Sequence, residues 1–349
     1  METKQHNVTL KDVAEEVGVS AMTVSRALSG KAHLVSSDTV RRCRNAAEKL
    51  GYVPNLMARS LRGEQLRTIV MLAEHMSSHQ YLAQLVDTVA HAIEQRGYGV
   101  ISCQSTASFR QALKNFKLAG AVIIAPPQRL YQDIEAERRN RRMPSSPTVV
   151  IHSAIKQSFF NEVSPDITAF THASASHLIE LGHRHIAYVG GPRADEEPLW
   201  FELRRQGIEQ ALSEHGLPLT HYRHQPCPET ELAPAALQQL LARFPETTGV
   251  ICINDEVAVA SVVGAEKMGL RVPRDLSVIG GNDIKLARFF RPALTTLSID
   301  VRTMVETALN LLFDEINQQP RAEETEPVKI SMTANLVVRE STGPPPKAS

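Results

Sequence analysis

Apolar side chains recur with a helical period through the first sixty residues. In TLKDVAEEVGVSAMTVSRALSG (9–30), Leu10, Val13, Ala14 and Val17 fall at i, i+3, i+4 and i+7, one stripe on a two-turn helix. Thr9 stands where an N-cap belongs, and Gly18 is placed to break the helix into a tight turn. Ser20 caps a second short helix whose inner side is Val24, Ala27 and Leu28. A small Ala14, a turn glycine and a branched Val24 at this spacing make a helix-turn-helix, with Ala21, Met22, Ser25 and Arg26 facing outward. Such a face, with its N-terminal end outward, fits the major groove of B-DNA. A third helix follows Ser36 or Ser37. It buries Val40, Cys43, Ala47 and Leu50, projects Arg41, Arg42 and Arg44, and ends at Gly51. Tyr52 to Asn55 then leads into the short helical run LMARSLRG.

After Gly63 the pattern changes to short apolar runs alternating with amphipathic ones. Strands are predicted at 68–74, 99–104, 121–126 and 148–152, with helices at 81–96, 109–118 and 130–142 between them. A loop at 159–165 separates a second series. Its helices lie at 169–181, 199–215, 231–243 and 256–268, and its strands at 185–190, 222–225, 249–254 and 276–281. Alternation with buried strands implies parallel sheets covered by helices on both faces. Two such modules in tandem place a crevice at the carboxyl ends of their strands. A helix at 301–316 and two late strands, VKISM and NLVVRE, return to the modules, and the tail GPPPKAS is expected to be disordered.

Composition sharpens this picture at two points. The 349 residues carry 38 Lys+Arg and 38 Asp+Glu, a formal net charge of zero that conceals an asymmetry. Residues 1–63 hold 10 basic against 6 acidic side chains, and the remainder hold 28 against 32, so a basic head stands on a mildly acidic body. Cys43, Cys103 and Cys252 sit in apolar-periodic segments and read as small core residues; no CxxC spacing joins the four cysteines. No signal-like leader and no run near ~20 apolar residues is present, so a cytoplasmic location is expected.

VTLKDVAEEVGVSAMTVSRALSG, followed by TVRRCRNAAEKLGYVPNLMARSL, resembles the DNA-binding head and hinge of LacI/GalR-type bacterial regulators. LIELGHRHIAYVGGP, NDEVAVASVVGAEKMGLRVPRDLSVIGG and FRPALTT resemble the same family more loosely. The resemblance implies an α/β chain with a small all-α helix-turn-helix head and hinge helix, then a two-lobe periplasmic-binding-protein-like core. The head spans 1–63, with the hinge helix at about 54–62, and the core spans 64–341. Lobe 1 covers about 66–160 plus 297–325 and lobe 2 about 163–295 plus 326–341, leaving 342–349 as tail. The implied function is a transcriptional regulator, a repressor, whose operator affinity is switched by a small metabolite between the lobes.

The DNA-binding residues implied are Thr9, Ser20, Ala21, Met22, Thr23, Ser25, Arg26, Asn55, Ala58 and Leu61. Alanine and methionine can touch a thymine methyl but make no bidentate hydrogen bonds, whereas Arg26 can pair with guanine N7 and O6. Ser20, Thr23, Ser25 and Asn55 suit phosphates. Leu61 lies where the family wedges a leucine into a central minor-groove step, which needs two hinge helices side by side and hence a homodimer on near-palindromic DNA. No leucine-heptad segment follows residue 341, so the assembly expected is a dimer.

The implied effector residues are His79, Tyr81, His152, Arg193, Trp200, Arg204, Asn254, Asp255 and Asn282. Asn254 and Asp283 also stand where helix caps would. The chain departs from the family at Asn282, often aspartate, and Gly281, often aromatic. The expected effector is a sugar or a sugar acid, and few carboxylates beside His79, His152, Arg193 and Arg204 point toward an acidic ligand such as a sugar acid of gluconate type. His183-Arg184-His185 reads as solvated loop residues rather than a metal site, and no cofactor is expected. GxxxxGK[ST], GxGxxG after a first strand, HExxH and GxSxG are all absent, so no enzyme chemistry can be assigned. The alternative function is an architectural DNA binder without effector.

Overall fold

The computed structural model describes residues 8–28, 32–52, 66–74, 79–126, 128–140, 146–155, 158–191, 198–227, 229–318 and 326–347. The chain divides into two units, Met1–Leu66 and Arg67–Ser349. The expected hinge helix at 54–62, with Asn55, Ala58 and Leu61, lies outside the described residues, as does Arg193.

In the first unit, helices α1 (Leu10–Val17), α2 (Ala21–Ala27) and α3 (Ser37–Leu50) pack around Val13, Val24, Ala27 and Cys43, none of which is exposed. Gly18 adopts φ +72, a left-handed cap that any side chain would strain, and turns α1 into α2 within three residues. Arg42, expected to point outward, instead reaches across and donates to the Val17 carbonyl at 2.7 Å, satisfying the end of α1.

The second unit holds two parallel sheets. The strands of the first are β1 (Leu66–Ala73), β2 (Gly99–Cys103), β3 (Leu118–Ile124), β4 (Thr148–Ile151) and β5 (Asn161–Pro165), joined by β11 (Lys329–Met332), in the order β11-β5-β4-β3-β1-β2. Helices α4 (Gln80–Gln95), α5 (Thr106–Asn115) and α6 (Gln128–Arg139) connect them. The second sheet has β6 (Ile186–Val189), β7 (Tyr222–Gln225), β8 (Gly249–Cys252) and β9 (Ser277–Ile279) in the order β7-β6-β8-β9. Its helices are α7 (Ile167–Glu180), α8 (Pro198–Glu214), α9 (Ala233–Arg243) and α10 (Asp255–Lys267), with a short α11 (Lys285–Phe289). Strands β3, β4 and β8 are buried along their whole length, as strands covered on both faces must be. Each fully buried branched side chain there contributes about 1.5–3 kcal/mol.

The lobes are joined by crossovers. Strand β10 (Thr296–Ile299) pairs antiparallel with β12 (Ala334–Val337), and α12 (Val301–Asn317) carries the chain between them, back against β4 and β5.

Four expectations need correction. Residues 161–165 form a strand rather than a loop, pairing with β4 on one side and β11 on the other. This puts 161–165 and 329–332 in lobe 1, so the lobe boundaries fall near 166 and 333 rather than 163 and 326. The start of the tail is ordered: the Ser341 and Gly343 backbones bond Val278 and the Ser277 hydroxyl, and Thr342 meets His177 and Thr295. His183 is wholly buried, not solvated, its ring bonded to Thr248, Ser277 and the Gly343 carbonyl. Burial holds its imidazole below the usual range.

Candidate nucleic-acid interface and ligand crevice

The head presents its candidate residues on two capped helix starts. Thr9 donates through its amide and its hydroxyl to the Asp12 carboxylate at 2.6 and 2.8 Å, closing a reciprocal cap. Ser20 accepts from the Thr23 amide at 3.1 Å and shares a 2.9 Å hydroxyl bond with Thr23, so both hydroxyls belong to the cap as well as the surface. Met22 is 63% exposed, Arg26 is exposed, and Ala21, Thr23 and Ser25 are half-buried beside the inward Val24. An exposed methionine at the tip of a capped helix leaves a sizeable apolar side chain in water, which a groove lined by thymine methyls would cover.

In the core, the carboxyl ends of the two sheets face one another, and side chains from both lobes meet. His152 ends β4 with φ +57. Its ring lies 5.0 Å from Tyr81 of α4 and 5.4 Å from Trp200 of α8, centroid to centroid, and its Nδ1 is 3.3 Å from the Tyr81 hydroxyl. One turn along α8, the Arg204 guanidinium sits 5.3 Å over the Trp200 ring. Burial, reinforced by the Arg204 and His79 charges, holds the His152 imidazole down to about 3, so it is neutral at pH 7. Burial pushes the Tyr81 phenol above its ordinary range. The crevice thus has a neutral aromatic floor with a single described guanidinium at its edge.

The remaining candidates divide. His79 precedes α4 without capping it through its side chain, and is near enough to His152 to repel its proton. Asn254 is spoken for by the helix, accepting from the Val257 amide at 2.8 Å. Asn282 follows β9 with φ +93, its amide donating to the Leu297 carbonyl at 2.8 Å. Asp255 does not face the crevice. It is 0% exposed and accepts from the Ile284 amide at 2.8 Å and the Thr296 hydroxyl at 2.6 Å. Its expected role as an effector ligand is therefore replaced by an internal one, because both carboxylate oxygens already have partners. Burial pushes its carboxyl up to about 7 against those two stabilising bonds. Asp283 does not cap a helix either, since Ile284 holds that position. Burial alone would raise Asp283, but Arg288 and Arg339 override it and hold its carboxyl below the ordinary range.

Sequence reading missed Glu256. It lies one residue past Asp255 on α10, and its Oε1 accepts from the Gln80 amide at the start of α4, 3.1 Å away across the crevice. An acidic residue in a first helical turn reads as a dipole complement for its own helix. Only the tertiary structure shows that it serves the helix of the other lobe.

A capped helix-turn-helix followed along the chain by a two-lobed parallel α/β core defines the class of this protein as a DNA-binding transcription regulator. Residues 9–55 match the profile of bacterial regulatory proteins of the lacI family, and 175–342 that of a periplasmic binding protein-like domain. The HTH-type transcriptional repressor PurR of Erwinia tasmaniensis is 31% identical over 349 residues, covering 97% of this chain and 98% of the relative. PurR of Photorhabdus laumondii is 32% identical over 319 residues, covering 88% and 90%. Among solved structures, the lac repressor dimer bound to operator and the anti-inducer ONPF superposes with a TM-score of 0.79 at 24% identity, covering 97% of this chain and 100% of that one. The chain belongs to the lacI family and is a DNA-binding transcriptional repressor. No described helix is long and apolar enough to cross a membrane, and no three described His, Cys, Asp or Glu side chains group as a metal site.

Proposed function

We propose that this repressor binds near-palindromic operator DNA as a homodimer and is switched by an acidic metabolite, of sugar-acid type, held between the lobes. One observation carries the ligand class. Arg204 lies over Trp200 at the crevice with no carboxylate against it among the described residues, while Asp255 and Asp283 are both engaged inside the protein. A neutral polyol is commonly held by carboxylates that accept paired hydroxyls, whereas a planar guanidinium beside an aromatic face suits a carboxylate whose carbon skeleton can lay its C–H face on the ring. For the dimer, support comes from α11 and its flank, where Phe289 is 77% and Leu286 43% exposed, side chains that a partner surface would cover. In the head, Thr9, Ser20, Thr23 and Ser25 would hold phosphates, and Ala21, Met22 and Arg26 would meet base edges. Asn55, Ala58 and Leu61 are proposed for the hinge.

The test is a titration of the full-length protein with D-gluconate, D-galacturonate and D-glucose, following Trp200 fluorescence and melting temperature together. A sugar acid at 100-fold over its Kd should add about 2.7 kcal/mol of stability. Arg204→Ala should weaken its binding roughly 10- to 100-fold, the worth of a charge-assisted contact. Saturable binding of glucose alone would reject the acidic ligand.

Base reading has its own expected outcome. Exchanging Met22 for glutamine should leave stability within about 0.5 kcal/mol, as for other exposed sites. The duplex selected from a randomised library should then change at one step in each half-site, with adenine favoured there. An unchanged selected sequence would place Met22 off the bases.

A further inference from the structure

The loop that carries Asn282 is fastened less to its own sheet than to the strand that crosses between the lobes. Two backbone bonds and a carboxylate bridge hold it there. The Gly280 amide donates to the Thr295 carbonyl at 2.9 Å, and the Asn282 amide donates to the Leu297 carbonyl at 2.8 Å. Asp255 completes the set, one carboxylate oxygen taking the Ile284 amide at the loop's end and the other the Thr296 hydroxyl on β10. Asn282 and Asp283 adopt φ +93 and +49, in the left-handed region that Asn and Asp enter more readily than other non-glycine residues. The second crossing segment grips the same loop, because Arg339, just beyond β12, pairs with Asp283. Space around Asp255 is closed: a Cβ on Gly280 would lie 2.1 Å from its Oδ1. The carboxylate therefore has no free direction in which to turn toward a ligand.

We propose that Asp255 and Thr296 are positioning residues that couple the effector loop to the lobe crossover. A shift of Asn282 is transmitted through the Asp255–Thr296 bond to β10 and its partner β12. Thr296 sits at the start of β10, directly opposite Val337, so a displaced Thr296 moves both crossing strands at once. This rests on the reading that Asn282 faces the effector. The bond itself can be tested without any effector.

The experiment uses the full-length protein, Thr296→Val and Thr296→Ser. Valine keeps the shape and removes the hydroxyl, and serine restores the hydroxyl without the methyl. Two readouts are taken without ligand. The first is amide hydrogen exchange in peptides covering 280–287 and 294–300. The second is affinity for the duplex that the wild type selects from a randomised library. Thr296→Val should speed exchange in both peptides and move the DNA Kd at least about fivefold, the lower end of measured coupling between sites. Thr296→Ser should return both to wild-type values. Faster exchange in 280–287 alone, with unchanged DNA affinity, would reduce Thr296 to a local brace and overturn the proposal. So would a serine variant that behaves like valine, since packing rather than the hydroxyl would then be responsible. Failure of the wild type to select any duplex would count against the DNA reading, and the exchange pattern would then decide the coupling alone.

Discussion

Replacing Gly207 by alanine should destabilise the core by about 3 kcal/mol or more, at the upper end of what overpacking costs, and should abolish ligand binding with it. In an exposed helix the same change would stabilise by roughly 0.8–1 kcal/mol, so the expected sign is opposite to propensity. The reason is the crossing of α7 and α8. A Cβ at 207 would lie 2.2 Å from the Thr168 carbonyl oxygen, 2.3 Å from the Thr171 hydroxyl and 2.9 Å from the His172 amide. Two of these are backbone atoms of the facing helix, which cannot rotate aside. The Thr171 hydroxyl is already committed to the Arg204 carbonyl at 2.9 Å. Relief requires the helices to separate, and α8 carries Trp200 and Arg204. Gly264 offers an internal comparison: its Cβ would meet the Pro234 Cα at 2.8 Å, a milder clash away from the crevice. Alanine there should cost less and leave Trp200 fluorescence unchanged. Urea unfolding of both variants, followed by Trp200 emission and by circular dichroism, checks the ranking. A Gly207→Ala protein as stable as wild type would mean that the spacing of α7 and α8 is set elsewhere.

That glycine also marks the limit of what the chain reveals without its structure. Elements whose burial follows a period were legible: the Val13, Val17 and Val24 spacing of the head, and the apolar runs that became β1, β3, β4 and β8. β5 was not. Its sequence NEVSP carries one branched apolar residue, and Glu162 and Ser164 are buried against Ser153 instead of facing water. Polar burial erases the alternation by which a strand is recognised. α11 has five residues, too few for a helical period to register. Ser341 to Gly343 are held by hydroxyl and backbone bonds, which leave no hydrophobic trace beside a proline-rich stretch.

The candidate site divides the same way. Tyr81, His152, and the Trp200–Arg204 pair come together from three separate stretches of chain, because each stands near the carboxyl end of a strand or toward the start of the helix that follows. Topology alone places such positions on one crevice. Asp255 shares that address yet points into the protein, since its partners lie 29 and 41 residues further along the chain. An acidic residue after a strand looks the same in sequence whether it meets a ligand or an internal hydroxyl. The choice is made by where the loop and crossover fold back.

The inward Asp255 leads to the second large effect, which appears only when its opposite number is removed. The carboxyl rises from 3.8 to about 7 on folding, so between those values the native state holds a proton that the unfolded chain releases. Its contribution is fully present below pH 3.8 and is lost as pH rises to 7, roughly 4 kcal/mol across the window. His152 runs the other way. Its imidazole falls from 6.5 to about 3, so the unfolded chain takes up a proton that the native state refuses, and stability is lost as pH falls below 6.5. Between pH 3.8 and 6.5 the two slopes oppose each other at about 1.4 kcal/mol per pH unit and nearly cancel. Asp255→Asn can keep both hydrogen bonds, its oxygen accepting from Ile284 and its amide donating to Thr296. It should therefore fold, and relative to wild type it should gain about 4 kcal/mol between pH 4 and 7, exposing the acid lability of His152. His152→Asn tolerates the positive φ and should do the reverse, losing a similar amount relative to wild type as pH rises from 3 to 6.5. Urea midpoints at pH 4, 5, 6 and 7 for the three proteins give both difference curves, in which every other titrating group cancels. A level curve for Asp255→Asn would mean that the carboxylate is charged inside the fold throughout this range. The Thr296 hydroxyl and the Ile284 amide would then be enough to hold the charge there.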